Sequence, residues 1–213
     1  MFVKNISMVS YPFWFSRFYD IVFYPFLHGI RKRIAVEIIA AKPKALIDMC
    51  CGTGNQIRYL KSLINTETVG IDISDNMLAI ASRKSQNCRK LDATKTHFKD
   101  NRFEIAILSF ILHETSHETA AKIANEAKRI VRNNGIIVIA DYVFDNKTHI
   151  LGKAGANFVE FLIGREHFKN YKSYIKHNLL KSYTTDLEMI SEHKHLLGAV
   201  SVYLFTNNKK LSL

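Results

Sequence analysis

The sequence predicts an α/β fold, a mostly parallel, doubly wound sheet with helices on both faces and a helical cap. Three observations carry that reading. From about residue 44, short apolar runs alternate with stretches of helical periodicity, the pattern of a parallel sheet with crossover helices. The run Ile105-Ala106-Ile107-Leu108-Ser109-Phe110-Ile111-Leu112 is apolar along its length, as in a strand buried on both faces. Three successive strands each end on an acid, Asp48, Asp72 and Asp92.

Taken in order, Ala45-Leu46-Ile47 is the first strand, and the glycine turn Cys51-Gly52-Thr53-Gly54 follows Asp48. Ile57, Leu60, Leu63 and Ile64 then recur at helical spacing. Thr68-Val69-Gly70-Ile71 is the second strand, and Ser74 is placed to cap a helix carrying Met77, Leu78 and Ala81. A short third strand runs from Cys88 to Leu91, and a fourth from Phe103 to Leu112. A helix with Ala120, Ile123, Ala124, Ala127, Ile130 and Val131 comes next. Asn134-Gly135 punctuates the chain before a strand from Ile136 to Ala140. Residues 1–40 are rich in aromatics and read as an N-terminal helical cap. Residues 41–213 form the main domain, with a helical insertion at about 151–185 and a last strand from Val200 to Phe205.

Composition narrows the function. No run approaches 18 apolar residues, so no membrane-spanning helix is expected. The stretch MFVKNISMVSYPFWF has no uninterrupted apolar core, so no cleaved signal peptide is expected. Three cysteines, two of them adjacent at Cys50 and Cys51, make no disulfide framework and point to a reducing cytoplasm. The formal charge of +11 is scattered rather than gathered in a tail. It suits anionic partners, or it is simply a solvated basic surface. No RNA-binding module or RNP-like aromatic signature accompanies it, so nucleic acid is not the expected partner. The sequence sets no oligomeric state.

In open α/β sheets, ligands bind outside the carboxyl ends of the strands. Asp48 is followed at once by a glycine turn into a helix, where backbone N–H groups approach a ligand closely. Asp72 comes 24 residues later, at the end of the neighbouring strand, placed to accept hydrogen bonds from ribose hydroxyls. The set points to an adenosine-type nucleotide. A nicotinamide-binding protein wants G-x-G-x-x-G, and Gly52-Thr53-Gly54-Asn55-Gln56-Ile57 lacks the third glycine.

ALIDMCCGTGNQ (45–56), VGIDISDNML (69–78), KLDAT (90–94), FEIAILSFILHE (103–114) and IVRNNGIIVIADY (130–142) resemble the successive motifs of class I S-adenosylmethionine-dependent methyltransferases. The resemblance covers about residues 40–145 and is nearest to the group holding the ubiquinone/menaquinone C-methyltransferases. It implies a Rossmann-like seven-stranded sheet with an antiparallel last strand. It implies S-adenosyl-L-methionine as cofactor and S-adenosyl-L-homocysteine as product. Carried over by residue, Cys51, Gly52 and Gly54, with Asp48 behind them, hold the methionine part; Cys50 stands where the family usually has Gly. Asp72, with Ile73 and Met77, takes the ribose; Asp92 and Ala93 take the adenine; Ser109 lines the same pocket. The acceptor is then a small molecule: a hydrophobic one such as a quinone precursor or a lipid, or another small molecule. The alternatives are an RNA- or protein-directed methyltransferase, or a non-catalytic protein that binds S-adenosylmethionine or nucleic acid.

A general base is needed only when the nucleophile arrives protonated. His113, directly after the fourth strand, is the first candidate, with Tyr19 and Tyr142 next. Asp141, His167, Tyr171 and Tyr174 are weaker ones. His113-Glu114-Thr115-Ser116-His117 also matches the H-E-x-x-H zinc pattern, which works only when both histidines share a helix face. Thr115 to Glu118 reads as a capping box with Thr115 as N-cap, leaving His113 outside the helix, and no third ligand follows. No metal is therefore expected. Trp14, Phe15, Phe18, Phe23, Tyr24 and Phe26 have two readings. They form the core of the cap, or they line an apolar pocket and touch the inner face of a membrane, with Arg17, Arg31, Lys32 and Arg33 meeting anionic head groups.

Overall fold

A computed structural model describes residues 13–84 and 86–209, the stretch 13–23 by backbone alone. Trp14, Phe15, Phe18, Tyr19 and Phe23 thus have side chains outside the described set. The elements are α1 (Phe13–Ala41), β1 (Ala45–Met49), α2 (Asn55–Lys61), β2 (Glu67–Asp72), α3 (Asp75–Arg83), β3 (Cys88–Lys90) and β4 (Phe103–Ser109). There follow α4 (His117–Ile130), β5 (Val131–Tyr142), α5 (Ile150–Ile163), α6 (Arg165–Lys176), α7 (Leu179–Tyr183), β6 (Glu188–His195) and β7 (Val200–Asn207).

They build one seven-stranded sheet in the order β3-β2-β1-β4-β5-β7-β6. β1 pairs in parallel with β2 on one side and β4 on the other, and all five of its residues are buried. Only β7 runs against the rest, antiparallel to both β5 and β6. Side chains alternate between two cores, as the period-2 pleat demands. Leu46, Ile105 and Ile107 face the stripe Leu27, Ile30, Ile34 and Ile38 of α1. Ile47, Ala106 and Leu108 face Ile123, Ala127 and Ile130 of α4. Each crossover helix presents a stripe because its apolar residues recur every three or four positions.

Ser74 caps α3 as the sequence indicates, its hydroxyl accepting from the Met77 N–H at 3.4 Å. Other boundaries differ. β4 stops at Ser109, because Phe110 turns into left-handed backbone at φ 57°, and its N–H donates to the Ala140 carbonyl at 2.8 Å. Ile111 and Leu112 are apolar because they are buried in the loop, not because they lie in the strand. The N-cap of α4 is Ser116, which accepts from the Thr119 N–H at 3.2 Å. Thr115 instead donates its hydroxyl hydrogen to the Ile111 carbonyl at 3.2 Å. β5 begins at Val131 and absorbs Asn134-Gly135 without ending.

Gly70 in β2 is required by close approach. A Cβ there would stand 2.4 Å from Ile57 Cδ1, 2.8 Å from Cys51 Sγ and 2.9 Å from Cys88 Sγ. Overpacking of this kind costs about 1–3 kcal/mol. Gly70→Ala is expected to lower Tm by roughly 2–12 °C in thermal unfolding, since 1 kcal/mol moves a chain of this size by about 2–4 °C. An unchanged Tm would show that α2 is not held against β2 at this glycine.

Candidate active site

The carboxyl ends of β1, β2 and β4 open into a cleft roofed by α1 through Leu27, Ile30 and Arg31. Asp48, Cys50, Cys51 and Gly52 enter it from the first strand and its turn, and Asp72, Ile73 and Met77 from the second. Ala93, in the loop after β3, and Ser109, at the end of β4, line it too, followed by Phe110, Ile111, Glu114 and Thr115. Two of the sequence candidates stand back from this lining. Gly54, at φ 71°, packs against α3, where a Cβ would meet Ala81, Gln86 and Cys88 at 3.2 Å. Asp92 turns its Oδ1 to the N–H and hydroxyl of Thr94, at 2.8 and 2.7 Å.

The turn after β1 winds through three left-handed residues, Cys50 at 66°, Gly52 at 53° and Gly54 at 71°. A non-glycine residue pays roughly 1–2 kcal/mol for that conformation, which explains why a glycine suits the Cys50 position. The turn is tied down by Asp72, whose Oδ2 accepts from the Gly52 N–H and Oδ1 from the Ser74 N–H, both at 2.8 Å. The Cys51 N–H donates to the Ile71 carbonyl at 2.9 Å. Burial raises the Asp72 pKa above its ordinary value, against the lowering effect of the N–H groups of Ser74, Gly52 and Ile73. Each carboxylate oxygen has two lone pairs, so both retain capacity to accept from a ligand. Asp48 lies beneath the turn, and burial raises its pKa well above the usual carboxylate range.

Gly52 supplies a test of whether a ligand fits here. Nothing lies within 4 Å of where its Cβ would be, so that space belongs to the cleft. Gly52→Ala would put a methyl there and strain the turn, and is expected to weaken S-adenosylhomocysteine binding about tenfold in a fluorescence titration, the equivalent of roughly 1.4 kcal/mol. Unchanged affinity would mean that the cofactor does not approach this glycine.

The base candidates are brought together, but not at the cleft. His113 is 2% exposed and lies behind the lining rather than on its rim, which corrects the position read from the sequence. Its Nδ1 is 2.6 Å from Asp141 Oδ1, and its Nε2 is 3.5 Å from Glu160 Oε2. Burial alone would lower its pKa, but Asp141 and Glu160 outweigh burial and raise it well above the ordinary value. Tyr142 packs its ring edge-on to His113 at 4.9 Å. His167, Tyr171 and Tyr174 complete the same buried cluster from α6. The side chain of Tyr19 lies outside the described residues. His117 sits apart, with Nδ1 2.9 Å from the Tyr183 hydroxyl, so the two histidines of the H-E-x-x-H pattern do not converge. Two acids of the cleft and of the buried cluster went unread. Glu114 faces the cleft from the end of the fourth motif. Glu160 is 2% exposed inside Phe158-Val159-Glu160-Phe161-Leu162, and a lone acid in an apolar run was its one available signal.

A strand order of 3-2-1-4-5-7-6, with a cleft at the first glycine turn, supports the reading of the chain as a class I S-adenosylmethionine-dependent methyltransferase. Residues 47–139 match the family model described as a methyltransferase domain. Over 115 residues the chain is 30% identical to a demethylmenaquinone methyltransferase of Staphylococcus saprophyticus, covering 51% of this chain and 48% of that one. The chain thus spans about half the length of the curated relatives it matches. Among solved structures, it is similar to a magnesium protoporphyrin IX methyltransferase from Synechocystis with bound S-adenosylhomocysteine, with TM-score 0.63 and 13% identity over 84% of this chain and 82% of that one. It is also similar to an O-methyltransferase family protein from Burkholderia thailandensis, with TM-score 0.70 and 11% identity over 91% and 60%. At these identities the structural likenesses establish the fold.

Proposed function

We propose that this chain transfers the methyl group of S-adenosylmethionine to a small, hydrophobic acceptor. The observation that carries the reading is Asp72, which clamps the glycine turn to the β2–α3 junction while facing the cleft. Cys51 and Gly52 would hold the methionine part, Asp72 the ribose hydroxyls, and Ile73, Met77 and Ala93 the adenine. When bound, the cofactor supplies a methyl group already activated on a sulfonium. The protein's share is then to align the acceptor and exclude water, and such positioning supplies about 7–11 kcal/mol of a barrier. Glu114, on the cleft wall, replaces His113 as the side chain placed to take a proton from the acceptor.

The acceptor side is apolar, with Leu27, Ile30, Phe110 and Ile111. Beside it runs a groove lined by Tyr24, His28, Arg58, Tyr59 and Lys84, which shares Arg31 and Asn55 with the cleft. Rings and cations together suit an aromatic, electron-rich acceptor, and the matched Staphylococcus relatives are named for a quinone. Exposed Phe158, Phe161 and Leu162 on α5, with Tyr24 and Phe26 on α1, support collection of such a substrate from the inner face of a membrane. Among the described residues no helix is long and apolar enough to cross one.

The test is incubation with methyl-labelled S-adenosylmethionine and, separately, a demethylated quinone, phospholipid vesicles and total RNA. Label is expected in a low-mass product that extracts into organic solvent, from the quinone or the vesicles. Label confined to RNA or protein would overturn the acceptor class.

A further inference from the structure

We propose that His113, Glu160 and His167 form a binding site for a divalent metal ion of the zinc class, separate from the cofactor cleft. The ion would clip α5 and α6 to the carboxyl edge of the sheet. The inference rests on how these side chains are placed and buried, and is independent of the methyl-transfer reading.

One ligand atom from each of the three residues lies within 4.8 Å of the other two, and all three residues are buried. His113 Nε2 is 3.5 Å from Glu160 Oε2, and His167 Nε2 lies against the same oxygen. Donors about 2.1 Å from a tetrahedral zinc ion stand roughly 3.4 Å from one another; the His113–Glu160 pair already has that spacing, and His167 would draw back from the shared oxygen to admit the ion. Two imidazoles and a carboxylate are also a donor set that zinc uses.

The surroundings are those of a ligand site. Metal-bound histidines commonly donate their other N–H to a carboxylate, which fixes the tautomer and aims the free lone pair at the ion. Asp141 takes that part, 2.6 Å from His113 Nδ1, and is itself held by the N–H groups of Leu112 at 3.1 Å and Tyr142 at 2.7 Å. On the far side, Glu114 Oε2 lies 3.9 Å from His167 Nδ1. The His167 Nδ1 and the Tyr171 hydroxyl are buried without a hydrogen-bond partner, polar atoms that a protein interior rarely leaves unused. Charge points the same way. Asp141 and Glu160 are 0% and 2% exposed, and a doubly charged ion balances two buried carboxylates.

The ligands come from the loop after β4, from α5 and from α6, so the ion would join the helical insertion to the core. The H-E-x-x-H sequence contributes its first histidine to this site, with partners some 50 residues away instead of its own second histidine.

The experiment is metal analysis of the full chain after zinc reconstitution and exhaustive dialysis, together with cobalt substitution. About one zinc per chain is expected, with visible absorption of low-symmetry Co²⁺ on substitution, a Tm lowered by a strong chelator and its recovery on adding zinc. Glu160→Gln and His167→Ala are expected to lose the metal, whereas His117→Ala retains it. Circular dichroism shows whether each variant folds, and for any that does not, the cobalt and chelator results on the unaltered chain decide. Less than about a tenth of an equivalent of metal in the reconstituted chain, with no thermal shift on adding zinc or cobalt, would overturn the proposal. So would stoichiometric metal in folded Glu160→Gln or His167→Ala.

Discussion

Replacing Asp72 with Ala is expected to raise the dissociation constant for S-adenosylhomocysteine by about 100-fold or more, the equivalent of roughly 2.8 kcal/mol. Two losses combine. The carboxylate would accept from the ribose, and hydrogen bonds to a charged group are each worth about 1.5–3 kcal/mol. It also fixes the turn by accepting from the Gly52 and Ser74 N–H groups at 2.8 Å, so its removal frees the loop that the ligand must then order again. Asp72→Asn keeps one acceptor oxygen and is expected to fall between the two. The measurement is a binding titration with circular dichroism as the folding control. An Asp72→Ala chain that binds as tightly as the parent would refute the assignment of this acid.

The second large effect is on stability. In Asp141→Ala, His113 would remain buried beside Glu160 without its partner at 2.6 Å, and the Leu112 and Tyr142 N–H groups would lose their acceptor. Breaking a buried, charged pair from one side costs about 3–5 kcal/mol, or a Tm lower by roughly 6–20 °C for a chain of this length. Asp141→Asn preserves an acceptor for the backbone and should lose less. A change under about 2 °C in Asp141→Ala would show that the cluster contributes little to holding the helical insertion. In a metal-loaded chain the same substitution removes the carboxylate that orients His113, and metal affinity should drop about 10–100-fold.

The parallel half of the sheet was legible because strands buried on both faces are spelled in continuous apolar residues, with the acids marking where each reaches the ligand edge. Ser74 was legible because a cap followed by an apolar period has a local cause. β6 was not read, since Glu188-Met189-Ile190-Ser191-Glu192-His193-Lys194-His195 lies at the sheet edge and carries no apolar alternation. The end of β4 was misplaced by Ile111 and Leu112, where burial in a loop imitates a strand. Asn134-Gly135 looked like a boundary, yet β5 accommodates Asn134 at φ 56° within the strand. Most residues that line the cleft could be found because they sit at fixed offsets from strand ends. The His113 cluster could not, because Asp141, Glu160 and His167 meet only after α5 and α6 fold back onto the sheet, and no short-range spacing records that meeting.

The central claim is that this cleft holds the methyl donor. Calorimetric titration of the unaltered chain with S-adenosylhomocysteine tests it most directly. The expected result is saturable binding at one site per chain that is lost or weakened about 100-fold in Asp72→Ala. No saturable binding by a folded chain, or binding indifferent to Asp72, would contradict it.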